Sequence, residues 1–329
     1  MSTPPILDLL HSGLRIHGKG SSTARSLSCG KCSVSQPSSI QDADEAIRRA
    51  SVAIILRQGN EGATEVLLIK RAVNHRDPWS GDLAFPGGRQ NAGETDLETC
   101  IRETKEETGL DLCAGGICPC GRLDDITIGT RKKRNSAKGT AMVISTFVFC
   151  DASRVKGNRE HSLDSTALRA PLKIQESEVA AAWWANLNEI WRNDSVAECS
   201  FPIRRFFPFI RDNSFLAHIA ELLRCNTVAV PGVFVAPAPT YIDRSSASDF
   251  FLWGITWDLL TGLQNAVAAG GYAPVPRNRF SFRFSRAPWI ANLLFKGGFF
   301  AFQILSKWSW LNWASVFAFF GIVGTWLIF

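Results

Sequence analysis

The sequence predicts an α/β protein whose last segment is a hydrophobic helix long enough to cross a membrane. Three observations carry that expectation. Local punctuation delimits a short acidic helix over residues 96–108. Three apolar runs, Ser51–Leu56, Thr64–Lys70 and Ala141–Phe149, have the length and β-branched content of strands. The final run, Trp308–Phe329, is 22 residues without a charge.

Residues 1–39 are rich in Ser, Gly and basic residues, hold Asp8 as their one acid, and show no apolar period. They read as disordered. The same composition also fits a weak mitochondrial presequence. Residues 40–50 read as a short helix leading into the strand Ser51–Leu56. A turn at Asn60-Glu61-Gly62 then joins the strand Thr64–Lys70, which makes the pair a hairpin.

The acidic helix is defined at both ends. Thr95 with Glu98 three residues later forms a capping box, and Gly109 is the natural residue just past the C-terminus. Leu97, Ile101, Thr104 and Thr108 fall on one stripe, and Glu103, Glu106 and Glu107 on another face. Three like charges on one face repel. A hard divalent cation reverses that sign, because Mg²⁺ takes carboxylate oxygens and keeps waters for a phosphate substrate. A solvated acidic face is the bland alternative.

The spacing is more specific than a charge run. Gly88, Glu94, Arg102, Glu103, Glu106, Glu107 and Gly109 stand in the order G-x5-E-x7-R-E-T-x-E-E-x-G-L. This resembles the Nudix box, in which a bulky aliphatic residue replaces the Thr104 seen here. Thr matches Val in shape, and its hydroxyl can bond the carbonyl four residues earlier.

Upstream, Leu67, Leu68, Lys70, Arg71, Ala72, Arg76, Gly81 and Phe85-Pro86-Gly87-Gly88 resemble the signature of Nudix enzymes that cleave coenzyme A. Two positions depart from it. Ile69 stands where Thr is usual, and four residues rather than three separate Arg76 from Gly81. Asp77-Pro78-Trp79-Ser80-Gly81 is closer to the RWSG variant of a membrane-associated Nudix branch. Arg71 and Arg76 are candidates for holding a diphosphate, since guanidinium forks match phosphate oxygens in pairs. Surface ion pairing is the alternative for both, and His75 reads as a surface residue.

Beyond the helix, Gly121–Asp125 begins a strand and turn. Arg131-Lys132-Lys133-Arg134 with Lys138 forms a basic loop with no interleaved aromatic residues, so no nucleic-acid partner is expected. Residues 151–170 read as an inserted loop. Glu176-Ser177-Glu178-Val179 before Trp184-Ala185-Asn186-Leu187 resembles the Nudix segment that supplies a further glutamate as base or metal ligand. Glu178 is the better match and Glu176 the reserve. Trp253-Gly254-Ile255-Thr256 resembles the helix start that closes the coenzyme A type of domain. The chain thus divides into residues 1–39, a Nudix domain over 40–265, a linker over 266–286 and a hydrophobic tail over 287–329.

The tail matches a bilayer core of about 30 Å, which needs about 20 apolar residues as a helix. Lys307 precedes it, and Trp308, Trp310 and Trp313 suit the membrane interface. Ala287–Leu305 reads as an interfacial segment or a hairpin arm. A buried C-terminal helix is the alternative. The catalytic domain would then face the cytosol, with a mitochondrial or peroxisomal membrane also compatible.

At 329 residues the chain can bury a full core, and its net charge of +6 suits anionic substrates or membranes. Nine cysteines form no disulfide scaffold, and no secretory segment is evident, so a reducing compartment is expected. Cys29, Cys32, Cys118 and Cys120 lack zinc-ribbon spacing and read as free thiols.

The resemblance implies an α/β/α sandwich with a mixed sheet, and hydrolysis of a diphosphate linked to another moiety. It implies Mg²⁺ or Mn²⁺ held by Glu103, Glu106 and Glu107, with the Gly88 carbonyl as a further ligand and Glu94 in support. One of the glutamates Glu103, Glu106 or Glu178 would take a proton from water, and Arg102 would order the carboxylates as a partner of Glu106. The expected substrate is coenzyme A or an acyl derivative. A nucleotide sugar, a dinucleotide, or a catalytically silent binding module are the alternatives.

Overall fold

A computed structural model describes residues 6–11, 16, 48–59, 62–74, 77, 79–114, 117–128, 142–151, 167–192, 196–205, 227–236, 250–276 and 283–284. In chain order these form α1 (Ile6–His11), β1 (Arg48–Gln58), β2 (Thr64–Arg71), β3 (Leu83–Ala84), β4 (Gly87–Arg89) and α2 (Asp96–Thr108). There follow β5 (Ile117–Arg122), β6 (Ile126–Ile128), β7 (Met142–Asp151), β8 (Val179–Asn186), α3 (Leu187–Ile190), β9 (Val196–Pro202), β10 (Thr227–Phe234), β11 (Phe251–Trp253), α4 (Gly254–Ala268) and β12 (Arg283–Phe284). They fall into two compact units, one within Met1–Cys199 and Pro231–Ser281, the other within Ser200–Val230 and Phe282–Phe329.

The first unit is built on a mixed sheet of order β3-β2-β1-β7-β5. β1 and β2 form the expected antiparallel hairpin, with Leu56 opposite Val66 and Gln58 opposite Thr64. β7 lies parallel to β1 over Arg48↔Met142 to Leu56↔Cys150. β4 pairs β1, β6 pairs β7 and β8 pairs β2. Both faces of the central strands are covered, which is why they read as continuous apolar runs. Ala53, Ile55, Leu67, Phe147 and Phe149 share one core with Cys100 of α2. The alternate residues Ile54, Leu56, Val66 and Leu68 share the other with Leu259, Leu260, Leu263 and Ala266 of α4. Helix, sheet and helix make the three layers that the resemblance implied.

α2 has the bounds read from its caps. The Thr95 side chain accepts from the Glu98 N–H, Glu98 accepts from the Thr95 N–H, and Gly109 closes the helix at φ 72°. Its buried face differs from the expected stripe. Thr99, Cys100, Thr104, Glu107 and Thr108 are buried, while Leu97 and Ile101 are partly buried at the margin. Small residues at the centre let the helix lie close to the sheet. The Thr104 hydroxyl donates to the Cys100 carbonyl at 2.8 Å, as its substitution for an aliphatic residue predicts.

Three expectations are corrected. Residues 48–50 are strand rather than helix, because β1 extends to pair with Met142–Ile144 of β7. Part of the stretch read as disordered is ordered: α1 buries Ile6 and Leu7, and Ile16 bridges Gly121 of β5. A Cβ at Gly121 would stand 2.0 Å from the Ile16 carbonyl oxygen, so the glycine admits that segment. The strand near Gly121 begins earlier, at Ile117, with a register shift between Pro119 and Gly121.

Cys120 and Cys150 are buried on neighbouring strands with their Sγ atoms 2.8 Å apart. Within the first unit β10 pairs β11 over Gly232↔Trp253 to Phe234↔Phe251. Within the second, Val228 and Ala229 pair with Phe284 and Arg283. The basic loop 131–138, the turn residues Asn60 and Glu61, and the hydrophobic tail 287–329 lie outside the described residues. No helix among the described residues is long and apolar enough to cross a membrane.

Candidate active site

The site begins where β4 passes between β1 and α2. Gly87 has φ 151°, and a Cβ there would meet the Ser51 carbonyl oxygen at 2.2 Å. A Cβ on Gly88 would lie 2.4–2.6 Å from the Glu103 carboxylate. The double glycine therefore lets backbone run flush against β1 and directly under an α2 carboxylate. The Gly87 N–H donates to Glu107 Oε2 at 2.8 Å, which ties strand to helix at a second point.

Arg102 organises the acids. Its Nε and Nη2 donate to the two oxygens of Glu94 at 2.6 and 2.9 Å. Its Nη1 donates to Glu103 and to Glu106, each at 2.9 Å, and Nη2 also reaches the Arg89 carbonyl at 3.1 Å. All five N–H groups are thus engaged. The expected partnership with Glu106 is present, but the forked pair is with Glu94. Glu94 also accepts from the Asn91 N–H, Asn91 Nδ2 and the Thr99 hydroxyl. Arg102 chiefly, then the Asn91 N–H, hold its carboxyl far below the usual range. Both its oxygens are committed, which makes Glu94 a support for its neighbours rather than a donor to an ion.

Burial and mutual repulsion act on two of the remaining acids. Burial raises the Glu103 carboxyl, and the charges of Glu106 and Glu178 add to the rise against the pull of Arg102. Burial pushes Glu107 up to about 8, with Glu103 and Glu178 adding to it and the Gly87 N–H and Arg71 opposing. Glu178 therefore lies within electrostatic reach of both, although some seventy residues of chain separate it from them. Its position follows from backbone bonds at the end of α2. The Lys173 N–H donates to the Thr108 carbonyl and the Gln175 N–H to the Glu107 carbonyl, at 2.8 and 3.2 Å. The Ala72 N–H then donates to the Glu178 carbonyl at 2.8 Å, fixing the start of β8 beside the end of β2.

These acids do not meet at one point. Among the described residues no group of three or more His, Cys, Asp or Glu side chains is gathered as a metal site. The cause is visible: Arg102 draws Glu103 and Glu106 to its guanidinium, and Glu107 turns to the Gly87 N–H. The donor set still suits a hard divalent cation, since it is all oxygen and its net charge raises the cost of ionising its buried members.

Of the two arginines expected to hold phosphate, Arg71 is present at the site and Arg76 lies outside the described residues. Arg71 pairs with Asp77, its Nη2 donating at 2.6 Å, while its charge reaches Glu107. Two residues were not singled out from the sequence. Burial alone would raise the Asp77 carboxyl; Arg71, the Trp79 N–H and the charge of Arg89 hold it below its usual value. Arg89 follows the double glycine, is exposed, and lines an open cavity of ≈330 Å³ with Arg48, Arg49 and Asn91–Glu94. Its place directly after Gly88 was the available signal.

Residues 47–205 match the family model described as NUDIX domain. An uncharacterized protein of Schizosaccharomyces pombe is 31% identical over 159 residues, 44% of this chain and 43% of that protein. Nudix hydrolase 3 of Caenorhabditis elegans is 47% identical over 51 residues, 16% of this chain and 21% of that one. The ADP-ribose pyrophosphatase of Methanocaldococcus jannaschii is 50% identical over 50 residues, 15% of this chain and 28% of that one. The matched segments thus span less than half the length of each of these relatives.

Proposed function

We propose that the NUDIX domain in residues 47–205 hydrolyses the diphosphate bond of a nucleoside diphosphate-linked compound, with coenzyme A or an acyl derivative as substrate. The observation that carries this reading is the seating of the acids of α2 on the double glycine: the Glu103 carboxylate lies against Gly88, Glu107 accepts from the Gly87 N–H, and Arg102 bonds both Glu103 and Glu106. Glu103, Glu106 and Glu107, with the Gly88 carbonyl, would hold Mg²⁺ or Mn²⁺. Such an ion neutralises the diphosphate and lowers the pKa of an attacking water.

The chain's own residues supply the rest. Arg102 keeps Glu103 and Glu106 at fixed separation and is itself anchored by Glu94. Glu178 is exposed and lies apart from the Arg102 fork, which supports it over Glu103 and Glu106 as the carboxylate that takes the water's proton. Arg71 and Arg89 present positive charge on the side where a diphosphate would lie. A second substrate class, nucleoside diphosphate sugars, is favoured by the likeness to the M. jannaschii ADP-ribose pyrophosphatase. The apolar run Trp308–Phe329 supports a membrane-tethered enzyme with its catalytic domain in the cytosol.

The test is a panel of coenzyme A, nucleotide sugars and dinucleotides with Mg²⁺ and the full chain. Release of phosphopantetheine from coenzyme A is the expected result, and Glu106→Gln should cut it roughly 10²-fold or more. Turnover of none of these diphosphates would instead indicate a silent binding module. Deleting residues 287–329 should move the chain from the membrane pellet to the supernatant; a chain that stays in the pellet removes the tether.

A further inference from the structure

The loop between β2 and β3 carries an exposed aromatic residue with no role in the chemistry above. Trp79 is 44% exposed, one of four large apolar side chains so exposed among the described residues. A singly exposed apolar side chain is ordinary; this one is set apart by how its loop holds it. The loop does not present it by accident of slack chain. The Asp77 carboxylate accepts from the Trp79 N–H at 3.0 Å, and the Asp82 N–H donates to the Trp79 carbonyl at 3.2 Å. The Ser80 hydroxyl accepts from the Asn74 N–H at 2.7 Å, closing the loop on itself. Beneath Trp79 sits Trp253, with ring centroids 6.4 Å apart, and Trp253 is 6% exposed with its Nε1–H donated to Asp82 at 3.1 Å. One indole is locked in the wall and the other rests on it facing outward.

The position relative to charge identifies what that face would receive. Asp77, which holds the Trp79 backbone, is the carboxylate paired with Arg71 and felt by Arg89. Ala72, next to Arg71, donates its N–H to the Glu178 carbonyl at 2.8 Å, which sets this end of β2 beside that glutamate. An exposed indole whose backbone is one hydrogen bond from the carboxylate paired with Arg71 matches a molecule with a planar ring at one end and phosphates at the other. Stacking on an aromatic face tolerates any base, because every base has a π-face.

We propose that Trp79 is a substrate-binding residue on which the base of the nucleotide stacks, its diphosphate lying toward Arg71, Arg89 and the glutamates. The assignment rests on the diphosphatase reading for the position of the phosphates, but binding can be measured without turnover. The experiment compares the full chain with Trp79→Ala and Trp79→Phe in Mg²⁺. Calorimetry reads Kd for two non-hydrolysable probes, α,β-methylene-ADP and the base-free methylenediphosphonate. Trp79→Ala should weaken the ADP analogue about tenfold or more, the scale of one lost base stack. It should leave the base-free probe unchanged, and Trp79→Phe should restore most of the loss. Equal weakening of both probes, no weakening of either, or a wild-type chain that binds neither overturns the assignment. A chain that binds the ADP analogue through Trp79 yet cleaves no diphosphate would sink the catalytic reading alone.

Discussion

Gly88 and Glu103 leave no room for each other's substituents: a Cβ on the glycine would fall 2.4–2.6 Å from the carboxylate atoms. The obstructing atoms are the far end of a flexible side chain, so Glu103 can swing away at small cost in stability. At Gly87 the obstruction is the Ser51 carbonyl at 2.2 Å, in backbone that cannot yield, and φ is 151°. Gly88→Ala should therefore keep its melting temperature within a few degrees while turnover falls about 10²-fold. Gly87→Ala should lose stability by about 1–3 kcal/mol or more. Paired thermal unfolding and kcat measurements check this, and a Gly88→Ala chain with unaltered turnover would detach Glu103 from the chemistry.

Arg102 is the clamp for three acids, and its fork matters as much as its charge. Arg102→Ala would take the guanidinium from Glu103 and Glu106 and leave Glu94 with only Asn91 and Thr99, at a cost of about 1–3 kcal/mol. Arg102→Lys keeps the charge but offers three donors from one nitrogen in place of a planar fork. It should recover part of the stability and little of the turnover. Urea unfolding and kcat for both variants check the prediction. A lysine variant equal to the parent in both would show that geometry is not what Arg102 provides.

What the sequence made legible follows the range of the interactions involved. α2 could be bounded to the residue because its caps, Thr95–Glu98 and Gly109, lie within the helix's own chain neighbourhood. The β1–β2 hairpin showed in its apolar pattern. Strands β3 to β6 did not, since Gly87-Gly88-Arg89 and Ile117-Cys118-Pro119 have poor strand propensity and are held by pairing alone. Within the site, spacing exposed Glu103, Glu106 and Glu107. The Glu94 fork was hidden because the partner of Arg102 sits on the loop before α2 rather than on the helix. The seating of Glu178 depends on Lys173 and Gln175 bonding the end of α2, a contact with no local signature. In α1, two buried residues were outvoted by the polar composition around them.

Glu107 should make the stability of the metal-free chain fall as pH rises. Its carboxyl ordinarily ionises near 4.5, and burial with the charges of Glu103 and Glu178 pushes that up to about 8 in the folded state. Between those values the folded chain holds a proton that the unfolded chain has released. The contribution is therefore fully present below about 4.5 and is lost as pH climbs to about 8. Glu94 and Asp96 act below this window, because their carboxyls are held under their ordinary values. With EDTA, the melting temperature of the parent should drop relative to Glu107→Gln between pH 5 and 8, by on the order of a few degrees. Mg²⁺ favours the ionised carboxylate, so adding it should narrow the difference most at the alkaline end. Curves for parent and variant that stay parallel from pH 5 to 8.5, with and without Mg²⁺, would show that Glu107 is ionised throughout and feels no ion.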